Sequence, residues 1–218
     1  MLKISLSEDE QDLLRETFNL ALGQAGDKLA RLLSSFVDLA VPNIGIIEAE
    51  KVADKILKDT VFSPSDSVTA LRQSYDVPYD VHRARVDGEA IVIFNDQAIQ
   101  TAAGVFGIDN VDDHSQEIEI MLELTNIIVG ACLNGIANQL FSKDMSFTPP
   151  VVQADKVNLT KFVYSTFQRS QLKWDYTLMV MIAFNLKDQR FKSDLVIFIS
   201  ERSIESVQRA LQTMLSEM

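Results

Sequence analysis

Two sets of polar residues recur in this 218-residue chain at the same spacing. In each set an acidic residue is followed four positions later by Glu and then by Asn, Gly and a distant Pro. The members are Asp12, Glu16, Asn19, Gly23 and Pro42 in the first set and Glu119, Glu123, Asn126, Gly130 and Pro149 in the second, related by a shift of 107 positions. Carboxylates accept hydrogen bonds, and an amide both donates and accepts them. Each set therefore carries groups that could hold a polar partner or substrate in place.

The spacing of four, three and four residues places the first four members of each set on one face of a helix. We call Asp12, Glu16, Asn19 and Gly23 the first polar stripe, and Glu119, Glu123, Asn126 and Gly130 the second polar stripe. Leu13, Leu20, Leu29 and Phe36 fall on other faces, where a core can bury them. We therefore expect two long helices whose polar stripes face solvent.

A glycine stands at the same place in each stripe, in the middle of a predicted helix. Gly in a helix interior costs roughly 1 kcal/mol relative to Ala. Gly23 and Gly130 therefore suggest that another backbone or side chain approaches closely at these positions. The alternative is that each stripe is an ordinary solvated helix face whose Gly packs against a neighbouring element. Duplication of the whole pattern favours a function.

The repeat extends beyond the stripes, because the same shift pairs Ala30 with Ala137 and Leu33 with Leu140. Each half contains a long helix, a short helix, two strands and a closing helix. This order predicts an α+β fold with a single sheet, the two long helices packed on one face, and a pseudo-twofold internal repeat. We expect one domain, 1–218, built of repeats at about 7–110 and 114–218. The predicted helices are 7–36, 48–57, 96–107, 114–142, 158–168 and 203–215, and the predicted strands are 67–77, 87–95, 175–186 and 192–200.

Local signals refine these elements. Ser7 and Glu10 are expected to form a capping box at the start of the first helix. Pro42 and Pro149 are expected to set the exits of the two long helices and to play no chemical part. The apolar run at 178–184 predicts a strand that is central in the sheet or lies at a subunit contact.

Composition limits the class of partner. The chain is 47% hydrophobic and carries a net charge of −11, which argues against nucleic acid or an anionic membrane as the main partner. The single cysteine, Cys132, suits a reducing cytosol, and the N-terminal sequence lacks a secretory signal pattern. The run at 178–184 is too short to span a bilayer. We expect a soluble, acidic, cytoplasmic protein with no membrane insertion.

Other candidate sites are weaker. A conceivable metal set comprises Asp113, His114, Glu117, Glu119 and Glu123. However, neither His82 nor His114 stands in a metal-ligand spacing, and acidic residues near a helix start are expected from the helix dipole. We therefore predict no metal site. Cys132 lies among apolar residues of a predicted helix and is expected to be a core residue rather than a nucleophile.

The repeated pattern, (Asp or Ser)-x3-Glu-x2-Asn-x22-Pro, resembles the active-site signature of the CheC/CheX/FliY phosphatases of bacterial chemotaxis. Residues 6–42 resemble the first CheC signature along its full length, and residues 118–150 resemble the second. Two signatures in one chain are more like CheC than CheX, which carries one. No flagellar-switch sequence of the FliY kind is recognised after the second signature, so we expect a CheC-type rather than a FliY-type member. The sequence is therefore most similar to a CheC-type member of this family.

The resemblance implies a phosphatase, a hydrolase that removes the aspartyl-phosphate of a CheY-type response regulator in chemotaxis or related two-component signalling. The implied catalytic residues are Glu16, Asn19, Glu123 and Asn126. Each Asn would orient a water in line with phosphorus, and each Glu would pair with a lysine of the regulator. The protein would need no cofactor of its own, because the phosphorylated receiver domain supplies Mg²⁺. The alternative is a non-catalytic adaptor that binds a response regulator or a CheD-like deamidase.

The second stripe departs from the signature at its first position, where Glu119 replaces Asp or Ser and could crowd the partner. The residue before Asn, often Gly in the family, is Phe18 or Thr125, which would alter how a partner's surface seats. We expect the first site to be the stronger of the two.

Overall fold

The computed structural model of the chain describes residues 5–77, 85–108, 111, 113–186 and 191–217. The helices are α1 (Glu8–Leu32), α2 (Val52–Asp59), α3 (Asp96–Val105), α4 (His114–Phe141), α5 (Leu159–Phe167) and α6 (Glu201–Glu217), with 3₁₀ turns at Ala49–Lys51 and Arg169–Gln171. The strands are β1 (Val37–Glu48), β2 (Ser67–Val77), β3 (Val86–Asn95), β4 (Ser146–Phe147), β5 (Val151–Asn158), β6 (Tyr176–Leu186) and β7 (Lys192–Ile199).

The strands form one antiparallel sheet in the order β1-β6-β7-β3-β2, with β4 and β5 both paired to the outer side of β2. Exchanging β1 with β5, β2 with β6 and β3 with β7 reverses this order and keeps the pairings, so the sheet has a pseudo-twofold relation. The predicted α+β fold with a single sheet is confirmed. The edge strand of each half pairs with the other half. The division into repeats at about 7–110 and 114–218 stays a prediction, because residues 109, 110 and 112 lie outside the described residues.

Helices cover both faces of the sheet. Helices α1, α3, α4 and α6 share a first hydrophobic core with one face, and α2 and α5 share a second core with the other face. Along β6, Leu178, Val180 and Ile182 enter the first core, whereas Met179 and Met181 enter the second. Burial on both faces explains the continuous apolar sequence of this strand, which lies between β1 and β7. The two long helices, α1 and α4, pack on the same face, as predicted.

Helix α1 begins as the sequence predicts. The Ser7 hydroxyl accepts a hydrogen bond from the Glu10 backbone N–H at 3.2 Å, and the Glu10 carboxylate accepts one from the Ser7 N–H at 2.8 Å. The capping box is therefore confirmed. Glu10 is buried and also accepts hydrogen bonds from Gln208 and Gln212 of α6. These contacts tie the start of the first helix to the last one.

The two prolines do not set the exits of the long helices. Helix α1 ends at Leu32, and Pro42 lies in β1, where the pairing with β6 changes register between Ala40 and Asn43. Pro149 lies between β4 and β5, at the corresponding interruption on the opposite edge of the sheet. Proline has no backbone N–H and is therefore tolerated at edge strands and bulges. The predicted role is wrong, and both prolines interrupt edge strands instead.

Two further expectations require correction. The sequence patterns predict four strands, whereas the described residues form seven; β1, β4 and β5 are additional, and all three lie at sheet edges. Leu13 and Leu29 are buried as expected, but Leu20 is 54% exposed and Phe36 is 64% exposed. Phe36 lies beyond the end of α1, and Leu20 lies on the exposed side of that helix.

Candidate functional site

Both polar stripes face solvent. The side chains of Asp12, Glu16, Asn19, Glu119, Glu123 and Asn126 are all exposed, and of the two glycines Gly23 is exposed and Gly130 half-buried. The opposite sides of the helices explain this orientation. Leu14 and Phe18 of α1 and Leu124 and Ile128 of α4 are buried in the first core at helical spacing. Burial of these apolar faces sets the rotation of each helix and leaves the stripes outside.

The carboxylates of the stripes have little internal pairing. Among the described residues, Glu16, Glu119 and Glu123 make no hydrogen bond or ion pair through their side chains. Asp12 lies 3.9 Å from Arg15 in an exposed pair one turn along the helix, a geometry that contributes little to stability. Glu16 and Glu123 are therefore available to a cationic group of a partner.

The stripe glycines lie beside open space. A Cβ at Gly23 or at Gly130 would meet no atom of a neighbouring element within 4 Å. The interpretation that these glycines pack against a neighbouring element of the described chain is therefore wrong. No other part of the described chain approaches these two glycines closely either. The close approach expected from the sequence therefore stays a prediction about a partner protein.

The two asparagines have different surroundings. Asn126 Oδ1 accepts a hydrogen bond from Nε2 of Gln73, a buried residue of β2, at 3.0 Å. In the described part of the chain, the Asn19 side chain has no hydrogen-bond partner. The Gln73 contact is not visible in the sequence, because it joins residues of different elements 53 positions apart.

The residues that precede the asparagines do not reach the surface. Phe18 is 1% exposed and Thr125 is fully buried, so neither can contact a docked protein directly. The exposed neighbour is instead Leu20, whose counterpart in α4, Ile127, is half-buried. Sequence reasoning missed Leu20 as a surface residue because it was assigned to a buried face.

His114 belongs to an ion network at the start of α4. Its Nδ1 and Nε2 lie 2.8 Å from Glu117 and from Asp155 of β5, and Lys156 Nζ lies 2.7 Å from Glu117. Hydrogen bonds to Glu117 and Asp155 raise the pKa of His114. Asp113 instead caps α4, accepting a hydrogen bond from the backbone N–H of Gln116 at 2.9 Å. This network links α4 to an edge strand.

The candidate metal ligands and Cys132 form no further site among the described residues. Within the described ranges, no group of three or more His, Cys, Asp or Glu side chains is arranged to hold a metal ion. His82 lies outside these ranges. Cys132 is fully buried, and burial raises the pKa of its thiol to about 12. It is therefore a core residue, as predicted.

Helix α4 is long and apolar enough to span a bilayer by length and composition alone. Its most apolar 18-residue window is 61% buried within the protein. This burial reflects its packing beside α1 on the face of the sheet that carries the first core.

The architecture is that of CheC-like and FliY proteins, which confirms the fold implied by the resemblance. The structure matches FliY from Thermotoga maritima with a TM-score of 0.64 and 15% identity, over 96% of this chain and 99% of that one. It matches a CheC-like superfamily protein from Shewanella sp. PV-4 with a TM-score of 0.50 and 14% identity, over 89% and 99% of the chains.

A chain of the FliG–FliM complex from H. pylori matches with a TM-score of 0.56 and 11% identity, over 94% and 100% of the chains. No family model matches the sequence. At these identities the likeness is one of fold.

Proposed function

We propose that the protein is a phosphatase that hydrolyses the aspartyl-phosphate of a CheY-type response regulator in chemotaxis or related two-component signalling. One observation supports this most strongly. Each long helix presents an exposed Glu that has no ion-pair partner among the described residues, one turn before an exposed Asn. A cytoplasmic location is part of the proposal.

The chemistry suits these groups. Phosphoryl transfer depends mainly on positioning and on stabilisation of charge. Glu16 or Glu123 would pair with the lysine of the receiver domain and hold the helix in register. Asn19 or Asn126 would orient a water in line with phosphorus. The water oxygen forms the new bond to phosphorus and the bond to the aspartate oxygen breaks, with a water proton passing to the released inorganic phosphate.

The receiver domain would bring the remaining parts of the reaction. It supplies the phosphoaspartate, the lysine and Mg²⁺, so this protein needs no cofactor of its own. The open space beside Gly23 and Gly130 would let the receiver backbone approach each stripe. Exposed Leu20, next to Asn19, would add an apolar contact at the first site.

The competing function is a non-catalytic adaptor that binds a response regulator or a CheD-like deamidase. The similarity of fold to a chain of the FliG–FliM complex favours this alternative, because that fold also occurs in a protein–protein assembly. An adaptor does not require Asn19 or Asn126 to act on a water. Turnover therefore separates the two functions.

The test follows the decay of a phosphorylated CheY-type receiver with wild type, Asn19→Ala, Asn126→Ala and the double variant. Removal of one positioned group typically costs about a hundredfold in rate. Each single variant should retain activity through the other stripe, and the double variant should lose about a hundredfold. Both side chains are exposed, so the double variant should fold and still bind the receiver.

Gln24→Ala is the matched control, because Gln24 is an exposed amide on a different face of α1. It should accelerate decay as wild type does. A double variant as active as wild type would exclude the stripes as active sites. A wild type that binds the receiver without accelerating decay would establish the adaptor.

A further inference from the structure

Gln73 of β2 connects the second polar stripe to the sheet. Its side chain is 1% exposed, and its Nε2 donates to the Thr148 carbonyl oxygen at 2.8 Å and to Asn126 Oδ1 at 3.0 Å. A carbonyl only accepts, so Thr148 requires the nitrogen of the Gln73 amide at this end. The second hydrogen of that nitrogen also requires an acceptor. Asn126 must therefore turn its Oδ1 inward and its Nδ2 away from Gln73.

Packing does not explain a glutamine at this position. The next residues on the same face of β2, Leu71 and Tyr75, belong to the first core. Gln73 Oε1 is buried without a hydrogen-bond partner in the described part of the chain, and an unpaired buried acceptor destabilises a folded protein. An unbranched apolar residue of similar length, such as Met, would avoid this cost.

The hydrogen bond to Thr148 does not explain the glutamine either. Thr148 already forms hydrogen bonds with Ser74 of β2. The Ser74 carbonyl accepts a hydrogen bond from the Thr148 N–H at 3.0 Å. The Ser74 N–H also donates to the Thr148 hydroxyl at 3.1 Å. The contact that depends on Gln73 alone is the one to Asn126.

The first polar stripe has no equivalent support. The shift of 107 relates Gln73 to Val180 in β6, and the same-face neighbours Leu178 and Ile182 are apolar as well. None of these side chains can donate a hydrogen bond to an amide. The free Asn19 side chain described above is consistent with this difference.

We infer that Gln73 is a positioning residue that fixes the amide of Asn126, so that the two stripes are functionally unequal. The second stripe presents a preoriented amide, with Nδ2 and one Oδ1 lone pair directed to the partner. The first stripe presents an amide that must be ordered when the partner docks. A group ordered in advance avoids that entropic cost at the moment of reaction. The inference rests on the proposed function for its kinetic consequences, and it reverses the expected ranking of the two sites.

Side-chain NMR tests the geometry without any turnover. The NH₂ group of Asn126 in wild type should have a high order parameter, and that of Asn19 a low one. In Gln73→Met the Asn126 NH₂ group should become as mobile as that of Asn19. Thr148→Val is the control, because it removes the hydroxyl bonded to Ser74 but keeps the carbonyl, and the Asn126 NH₂ group should stay ordered. Equal mobility of the two amides in wild type would overturn the inference.

Kinetics tests the consequence. In the Asn19→Ala background, where the second stripe acts alone, Gln73→Met should lower kcat about tenfold and leave KM for the phosphorylated receiver unchanged. In the Asn126→Ala background it should cause no further loss. Asn126→Ala should itself cost more in kcat than Asn19→Ala.

The two backgrounds distinguish positioning from general damage. Both stripes lie on helices of the same core, so a destabilised core would reduce activity in both backgrounds equally, and that result would overturn the inference. An unchanged kcat in the Asn19→Ala background would also overturn it. If neither the wild type nor any variant shows turnover, the proposed function fails. The NMR order parameters still decide in that case whether Gln73 holds the Asn126 side chain.

Discussion

Gly135 of α4 lies directly against the backbone of Ala21 in α1. A Cβ at position 135 would stand 3.0 Å from the Ala21 carbonyl oxygen. The contact lets the two long helices pack closely, side by side in one layer. The repeat shift relates Gly135 to Lys28, so this contact occurs once. The glycine that the helix packing requires is therefore a different one from the glycines in the stripes.

Substitution by Ala should separate these two classes of glycine. Gly23→Ala and Gly130→Ala should each raise the free energy of unfolding by about 1 kcal/mol, because helix propensity improves and no neighbouring atom is met. Gly135→Ala should lower it by about 1 kcal/mol, because separating the helices costs more than the propensity gain. Denaturant unfolding of the three variants measures this. Stabilisation by Gly135→Ala would contradict the close contact.

Charge reversal at the stripe glutamates should abolish binding of a receiver domain. Glu16→Lys with Glu123→Lys places a cation opposite the receiver lysine, and like charges repel at short range. Both side chains are exposed and, among the described residues, unpaired, so folding should be unaffected. Affinity for the phosphorylated receiver is the measurement. Asp38→Lys with Glu50→Lys is the control, because it changes net charge equally at exposed positions away from the two long helices. Equal affinity of both double variants would place the docking surface elsewhere.

Asp194 of β7 should make the folded state less stable as pH rises. The carboxyl is fully buried; Oδ2 accepts hydrogen bonds from Thr60 and Val61, and Oδ1 has no partner within the described ranges. Burial raises the pKa of Asp194 to about 6. The unfolded chain loses this proton near the usual value, about pH 4. Between about pH 4 and pH 6 the folded state holds more protons, so this carboxyl lowers stability as pH rises.

Asp194→Asn removes that contribution. The free energy of unfolding of the variant, relative to wild type, should increase between about pH 4 and pH 6 and then level off, by at most about 3 kcal/mol. Urea unfolding across this range measures the difference. Asp38→Asn, at an exposed position of β1, should keep the wild-type dependence. A constant difference between Asp194→Asn and wild type would contradict the raised pKa.

His114 should stabilise the contact between α4 and β5 in its protonated form. Its pKa is raised by hydrogen bonds to Glu117 and Asp155, so the folded state holds the proton to higher pH than the unfolded chain. The contribution is fully present below about pH 6.5, the usual histidine value, and is lost as pH rises through the raised pKa. NMR titration of the ring measures the pKa, and His114→Gln assigns the signal.

The two carboxylates around His114 provide the control. Asp155→Asn removes one of them and should lower the pKa of His114 towards its ordinary value. An ordinary pKa in wild type, or no change in Asp155→Asn, would show that the network does not persist in solution.

The long helices and the interior strands were predictable because their signals are local. The capping box at Ser7 depends on residues three positions apart, and the stripe of Glu16 and Asn19 follows from helical periodicity alone. Strand β2 spans the predicted residues 67–77 without a change at either end. In these elements the residues that specify the structure are neighbours in the chain.

The edge strands were missed because their signals are not local. Strand β1 alternates in burial only over residues 37–43 and is half-buried from there to its end, with an exposed proline at position 42. It becomes a strand by pairing with β6, more than a hundred residues away. Likewise, β5 belongs to the second half but pairs with β2 of the first. The sequence of a single segment only weakly predicts that it will pair with a distant segment.

The chain alone thus determined which side chains form the polar stripes, because helix periodicity converts spacing into a face. Tertiary structure decided how those side chains are held. The buried donor that orients Asn126 comes from Gln73 on another element, and Asn19 has no such donor among the described residues. No sequence pattern predicts this difference, because it depends on which strand residue packing places next to each asparagine.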